Sequence, residues 1–237
     1  MPMDADSRLH TVLIVGASRG LGYAMAEEFL QRGWNVVGTV RSAAHGRLHE
    51  LAQRLPGRVE IESVDITMPD QVAALRSRLA GRTLDMLFVN AGVRNNNPEE
   101  TIGEVSTDEF IRVMATNALS PIRVVEALHD VVAEEGTIGV MSSGQGSISS
   151  NTIGKREVYR GSKAALNMFM RSFAARHSAD RRAMVLMAPG WVRTELGGPQ
   201  ARLSIEESVP NLVSTLLGVH GKPGLQYLDY LGRTVPW

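Results

Sequence analysis

The sequence predicts an α/β fold: a doubly wound parallel sheet with helices on both faces. Three observations lead there. Short β-branched runs alternate with longer helical stretches along the 237 residues, the pattern of repeated βαβ units. Several of the short runs are apolar almost throughout, as expected of strands covered on both faces. The first run also ends in a glycine-rich turn, GASRGLG at 16–22, that opens a helical stretch.

In chain order, TVLIV (11–15) is the first strand and about 20–32 the first helix. NVVGTV (35–40) and RVEIESV (58–64) follow as strands, each leading into a helical stretch, at about 42–54 and 69–80. TLDMLFV (83–89) is the fourth strand. The asparagine- and acid-rich RNNNPEETIGEV (94–105) follows strand four on the cofactor side, and reads as a solvated connection or, alternatively, as a border of the substrate entrance. A long helix spans about 107–133 and contains Pro121, which has no N–H to give and should kink it. TIGVMS (137–142) and AMVLMA (183–188) are strands five and six, flanking a helix at about 157–177. A last helix lies near 204–217, and GLQYLDYLGRTVPW supplies one more short strand near 225–229. No repeat, low-complexity tract or long linker divides the chain, so residues 1–237 are expected to form one domain.

Composition narrows the function. Lysine plus arginine is 25 and aspartate plus glutamate is 25, so nucleic-acid binding has no electrostatic footprint. Cysteine is absent, which excludes disulfides, thiolate metal sites and a cysteine nucleophile. The opening MPMDADSRLH is polar, unlike a signal peptide, and no apolar run approaches the roughly 18 residues of a membrane span. A cytoplasmic chain with no membrane partner is expected. His45 and His49 have i,i+4 spacing but no apparent third ligand, and are read as a solvent face with no metal.

The glycine turn points to a dinucleotide. Gly16 can make the sharp strand-to-helix turn, and Gly20 and Gly22 allow close approach of ligand or of helix to sheet. The following helix offers its N-terminal amides to a pyrophosphate. Strand two ends GTVRS, with Arg41 and Ser42 where an acid would hydrogen-bond a free ribose 2′-hydroxyl. With Arg19 inside the turn, this favours NADP(H) over NAD(H).

A second constellation carries reaction chemistry. Tyr159 and Lys163 are one helical turn apart and share a face. An ammonium beside a phenol lowers its pKa from near 10 and makes a proton donor and acceptor. Ser142 and Ser143 leave strand five where ligands bind doubly wound sheets, and either hydroxyl can meet a substrate carbonyl oxygen.

The ordered set resembles the short-chain dehydrogenase/reductase family. GASRGLG is similar to its glycine motif, VNAG (89–92) to its strand-four motif, Tyr159 with Lys163 to its catalytic pair, and APGWVRTEL (188–196) to its Pro-Gly segment. The long gap before Tyr159, the short length and the tail LGRTVPW resemble a branch of small carbonyl reductases and a bacterial cell-to-cell signalling factor.

The resemblance implies a single-domain Rossmann-like fold and a carbonyl reductase or alcohol dehydrogenase. Tyr159 would be the general acid or base, Lys163 would hold the nicotinamide ribose and lower the tyrosine pKa, and Ser143, the second serine of its pair, would orient the substrate oxygen. Asn117 would help hold a relay water. Ser18 and Leu21 would join Gly16, Arg19, Gly20 and Gly22 around the cofactor. Asp65 and Ile66 would contact adenine, and Asn90, Ala91 and Gly92 would support the adenosine ribose. Pro189, Gly190 and Val192 would close over the nicotinamide, and Thr194 would reach the cofactor's phosphate or carboxamide. The gap between Ser143 and Tyr159 is longer than is usual in the family, so GQGSISSNTIGKREV (144–158) is expected to bulge beside the site.

Trp191, Leu196 and Ile148 suggest an apolar pocket for a small hydrophobic carbonyl or alcohol substrate, although core packing is an equal reading of Trp191. Trp237 and Pro236 are read as packing or subunit-contact residues. The helices at 107–133 and 157–177 are expected to build a homodimer or homotetramer; the second offers an apolar stripe in Ala164, Ala165, Met168, Phe169 and Phe173, which the sheet could instead take as core. The alternative function is an NADP(H)-binding signalling or regulatory protein with little turnover.

Overall fold

A computed structural model describes residues 9–42 and 44–237. The polar opening, 1–8, lies outside the described residues, as does Ala43 within the stretch expected to be helix two. The elements are β1 (Thr11–Val15), α1 (Gly20–Gln31), β2 (Asn35–Val40), α2 (Arg47–Arg54), β3 (Val59–Ser63), α3 (Pro69–Arg78) and β4 (Leu84–Val89). They continue with α4 (Thr107–Met114), α5 (Ser120–Leu128), β5 (Val132–Met141), α6 (Glu157–Arg176), β6 (Ala183–Ala188), α7 (Ile205–Val219) and β7 (Gly224–Asp229).

The seven strands form one parallel sheet in the order β3-β2-β1-β4-β5-β6-β7. The order reverses between β1 and β4, and such a switch point opens a crevice beyond the carboxyl ends of the strands. Alternation along β1 feeds both faces. Val12 and Ile14 join one apolar core with Met25, Phe29 and Leu212. Leu13 and Val15 join the other with Leu75, Val124 and Phe173. Core residues on both faces explain the unbroken apolar runs in the sequence.

Three boundaries differ from the sequence expectation. Helix α2 starts at Arg47 instead of 42, because extended Gly46 is its N-cap; His45 therefore precedes the helix, although its ring still stacks on His49. The helix expected over 107–133 is broken at Pro121. Five π-helical residues, Ala115–Leu119, separate α4 from α5, since Pro121 cannot donate to the carbonyl of Asn117 four residues back. Strand β5 starts at Val132, where the sequence suggested helix to 133 and strand only from 137. The helix-favouring AEEG segment is carried as a bulge, with the register shifting between Leu84 and Met86.

Helix α6 shows how one stripe divides. Phe173 turns wholly into the core, while Met168 and Phe169 stay exposed. No helix among the described residues is long and apolar enough to cross a membrane.

Candidate active site

The carboxyl ends of the strands collect the residues singled out above. Gly16 follows β1, Arg41 and Ser42 follow β2, Asp65 follows β3, Asn90 follows β4, Ser143 follows β5 and Pro189 follows β6.

The glycine turn is gripped at its main-chain atoms by two side chains. Gly16 has φ +93°, a left-handed conformation suited to glycine. Its N–H donates to Thr39 Oγ1 at 2.9 Å and its carbonyl accepts from Asn90 Nδ2 at 2.8 Å. A Cβ on Gly22 would lie 2.0 Å from the Gly16 oxygen and 2.6 Å from Asn90 Nδ2, so helix and turn can meet only at a glycine. A Cβ at Gly20 would meet just the Thr194 methyl, 3.9 Å away. The turn thus faces open space across from the 189–197 segment, and this cradle of N–H groups at a helix start fits a dinucleotide pyrophosphate.

The arginines expected at the adenosine end both see carboxylates. Arg19 pairs with Glu195 across the groove. Arg41 lies close enough to Asp65 to help hold its carboxyl below the usual range, after the stronger effect of the Thr67 hydroxyl. Ser42 Oγ accepts from the Ala44 N–H at 3.2 Å, while Ile66 is buried.

On the other side of the cleft, Ser143 and Tyr159 line one cavity of about 460 Å³ together with Leu21, Pro189, Gly190, Trp191, Val192, Thr194 and Leu196. Lys163 stands behind the tyrosine, with Nζ 6.0 Å from the ring centre. It is buried, and Nζ donates to the Met141 carbonyl at 2.9 Å. Burial lowers the lysine pKa to about 8.

The tyrosine departs from the sequence expectation. Burial raises its pKa, and the opposing influences are a hydrogen bond with Ser143 and the positive charge of Arg156. Desolvation of the phenolate outweighs the attraction of nearby cations.

The two serines of strand five separate cleanly. Ser142 is buried, and its hydroxyl donates to Asn167 Oδ1 at 2.6 Å. Asn167 Nδ2 in turn donates to the Gly146 carbonyl at 3.3 Å. Ser142 therefore ties the strand end to α6, and Ser143 faces the cavity.

Asn117 sits in the π turn with its side chain spent on structure. Oδ1 accepts from the Val93 N–H at 2.8 Å, and Nδ2 donates to the Val93 carbonyl at 2.7 Å and to Ser162 Oγ at 3.0 Å. A Cβ on Gly92 would come 3.3 Å from Asn117 Oδ1 and 3.5 Å from Lys163 Nζ, so Ala91-Gly92 lets β4, α5 and α6 converge here.

Several site residues carried no sequence signal. Thr39, Ser162 and Asn167 lie at ordinary strand and helix positions, and only the packing reveals their bonds. Tyr227, in β7, donates to the Ser143 carbonyl and packs against Trp237, whose ring centre is 5.4 Å away. The guanidinium of Arg171 covers the other ring, 4.9 Å from the Trp237 centroid. Of the two readings of the 94–105 loop, its placement fits the border of the cavity, to which it brings Arg94, Asn95 and Pro98. Ile148, expected in the lining, is 75% exposed and lies outside it. Trp191 does line the cavity, and its indole N–H donates to the Gly197 carbonyl at 2.8 Å.

Fold, glycine turn and cleft together define a dinucleotide-binding α/β protein with a tyrosine–lysine–serine site. The short chain dehydrogenase family model matches residues 10–202, and the chain belongs to that family, an oxidoreductase by membership. A short-chain dehydrogenase/reductase from Burkholderia multivorans, solved with bound NADP, is 64% identical, with a TM-score of 0.96 over 97% of this chain and 100% of that one. A carbonyl reductase from Pseudomonas aeruginosa PAO1, in complex with NADP, is 33% identical, with a TM-score of 0.88 over the same shares. C-signal from Myxococcus xanthus is 35% identical over 65% of this chain and 93% of its own length. The branch suggested by the sequence thus contains relatives of both expected kinds.

Proposed function

We propose that this chain is an NADP(H)-dependent oxidoreductase, one domain over 1–237, that interconverts ketones or aldehydes with secondary or primary alcohols in the cytoplasm. The observation that carries the reading is the placement of Tyr159 and Ser143 in one cavity, beside the glycine turn and with Lys163 behind.

The cofactor, when bound, supplies or receives the hydride. Gly16, Ser18, Gly20, Leu21 and Gly22 hold its pyrophosphate side, Asn90, Ala91 and Gly92 flank its adenosine ribose, and Asp65 and Ile66 border the adenine. Pro189, Gly190, Val192 and Thr194 cover the nicotinamide side. Arg41, Ser42 and Arg19 receive the 2′-phosphate. The exposed pair of Arg19 with Glu195 is worth at most about 1 kcal/mol, so a phosphate dianion readily replaces it. The NADP-bound relatives support this preference.

Ser143 Oγ orients the substrate oxygen, and the Tyr159 hydroxyl gives it a proton during reduction. Burial keeps the phenol in its protonated, donor form, and the Ser143 hydrogen bond and the Arg156 charge act against that rise, toward easier release of the proton. Lys163 replenishes the proton, and because the Asn117 side chain is committed to Val93 and Ser162, the relay water falls to its main-chain carbonyl. Trp191, Leu196 and Leu21 offer the substrate an apolar wall. Exposed Phe110, Ile111, Met168 and Phe169 on α4 and α6 supply apolar contact for a homodimer or homotetramer.

The test is loss of reduced-nicotinamide absorbance with NADPH and NADH over a panel from small aldehydes to bulky cyclic ketones. NADPH turnover should exceed NADH turnover. Tyr159→Phe should cost about 10³-fold in kcat while NADPH still binds; near-normal turnover by that variant would overturn the mechanism. The similarity to C-signal favours a second reading, a cofactor-binding signalling protein with little turnover. Tight NADPH binding with silence across the panel would favour it, and the retained Tyr159, Lys163 and Ser143 weigh against it.

A further inference from the structure

The cavity that holds Tyr159 is unevenly charged. The whole chain balances 25 basic against 25 acidic residues, yet three arginines line this cavity, Arg94, Arg156 and Arg233, against one carboxylate, Asp229. Asp229 is already committed to Arg233, at 2.6 Å. Among the described residues, neither Arg94 nor Arg156 has a carboxylate within ion-pair distance.

The neighbouring acids are spent elsewhere. Glu99 pairs with Lys155 at 3.1 Å, and Glu157 Oε2 accepts from the Ile102 N–H at 2.8 Å.

Of the two arginines, Arg156 is the better placed. It is half-buried, whereas Arg94 is exposed. Its guanidinium lies 5.5 Å from the Trp191 ring centroid, against the wall that an apolar substrate would touch. It stands at the N-cap of α6, three residues before Tyr159, with φ +61°. It is the one non-glycine residue with positive φ among those described. That backbone is unfavourable for a residue with a Cβ, and the side chain makes no cap hydrogen bond that repays it locally. A planar donor fork held part-buried beside an indole and facing a reactive phenol is suited to a carboxylate.

We propose that Arg156 is the specificity-determining residue of the cavity and that the physiological substrate is a carbonyl compound, or the matching alcohol, carrying a carboxylate. This rests on the oxidoreductase reading and deepens it: the apolar body lies against Trp191 and Leu196, the reacting oxygen meets Ser143 and Tyr159, and the carboxylate takes the guanidinium. Asn95 adds a second preference. It is buried in the same lining, its Nδ2 is bound to the Asn97 carbonyl, and its Oδ1 has no partner. A hydroxyl or N–H on the substrate would satisfy it.

The experiment compares an aryl α-keto acid with its methyl ester, a pair alike but for the charge, with NADPH and the full chain. Binding of the unreactive aryl carboxylate to the NADPH-loaded protein is measured by calorimetry alongside. The variants are Arg156→Asn, which tolerates the left-handed backbone, and Arg156→Lys, which keeps charge and loses the fork. Thermal melting and NADPH affinity verify that both fold.

Wild type should favour the acid over the ester by about 30-fold in kcat/KM, the scale of one charge-assisted hydrogen-bonded contact. Arg156→Asn should abolish that ratio, mainly through KM of the acid, and Arg156→Lys should restore part of it. An ester turned over as well as the acid, or a ratio unchanged in Arg156→Asn, would overturn the proposal and leave the reductase standing. Carboxylate binding that depends on Arg156 without turnover of either compound would keep the anion site and sink the reductase reading. Neither turnover nor binding would sink both.

Discussion

Around the glycine turn the cleft is held at main-chain atoms, gripped by side chains, and by space that only glycine leaves free, whereas around the tyrosine side chains from distant strands and helices also bind one another. On the first side, Gly16 is gripped at its N–H by Thr39 and at its carbonyl by Asn90, and Gly22 sits where no other residue fits. On the second, Ser142 reaches Asn167, Asn117 reaches Val93 and Ser162, and Tyr227 reaches Ser143 from the seventh strand. The comparison teaches that binding of a shared cofactor can be built into backbone geometry, while the half that chooses a substrate is free to vary one side chain at a time.

The harshest way to break that contrast is Gly22→Ala. Its methyl group would be forced to within 2.0 Å of a main-chain oxygen that is itself locked by Asn90. We expect at least about 3 kcal/mol of distortion, seen as a loss of roughly 100-fold in NADPH affinity and a lower melting temperature. Gly20→Ala should be milder, since only its left-handed φ of +56° is violated and the space is open. Fluorescence titration of NADPH against both variants measures the difference. Equal losses would mean that the turn is tolerant and that its rigidity is not what binds the cofactor.

These two sides also differ in how far the sequence revealed them. The glycine turn, the sheet and most helices could be read directly, because φ > 0 demands glycine and buried parallel strands demand apolar runs. Tyr159 and Lys163 were legible because both lie on one helix, where spacing fixes facing. Tyr227, Asn167 and Ser162 were not, since nothing local sets which side chain a distant strand or helix will offer. Arg156 was hidden for a related reason: a charged residue in a loop looks solvated until the fold shows that no carboxylate meets it. The bulge of β5 was missed because AEEG has helical propensity, which strand pairing overrode.

A smaller effect sharpens the contrast on the tyrosine side through pH. Lys163 ordinarily titrates near 10.5, and burial brings it to about 8 in the fold. Below pH 8 both folded and unfolded chains carry the proton, and the fold bears the full cost of the buried charge, about 3 kcal/mol. Between 8 and 10.5 the unfolded chain binds more protons, so this residue makes stability rise with pH. Tyr159 and Tyr227, both raised by burial, act oppositely and only above about pH 10, which leaves 8 to 10 as the window. Denaturant melts across it should show a rising contribution in wild type that is missing in Lys163→Met. Parallel slopes would mean that water reaches the ammonium.

The finest probe is Tyr227→Phe. It removes one hydroxyl, which donates to the Ser143 carbonyl and lies beside Asn167 and Ser142, and leaves the ring packed on Trp237. The lost bond is worth about 1 kcal/mol, or roughly 2–4 °C in melting temperature for a chain of this size. Because Ser143 stands on the side-chain half, the catalytic cost should appear as a several-fold fall in kcat with NADPH affinity within about twofold of wild type. Steady-state kinetics and cofactor titration separate the two. If NADPH affinity falls as far as kcat does, the two halves of the cleft are mechanically one, and the division between a backbone-built cofactor side and a side-chain-built substrate side fails.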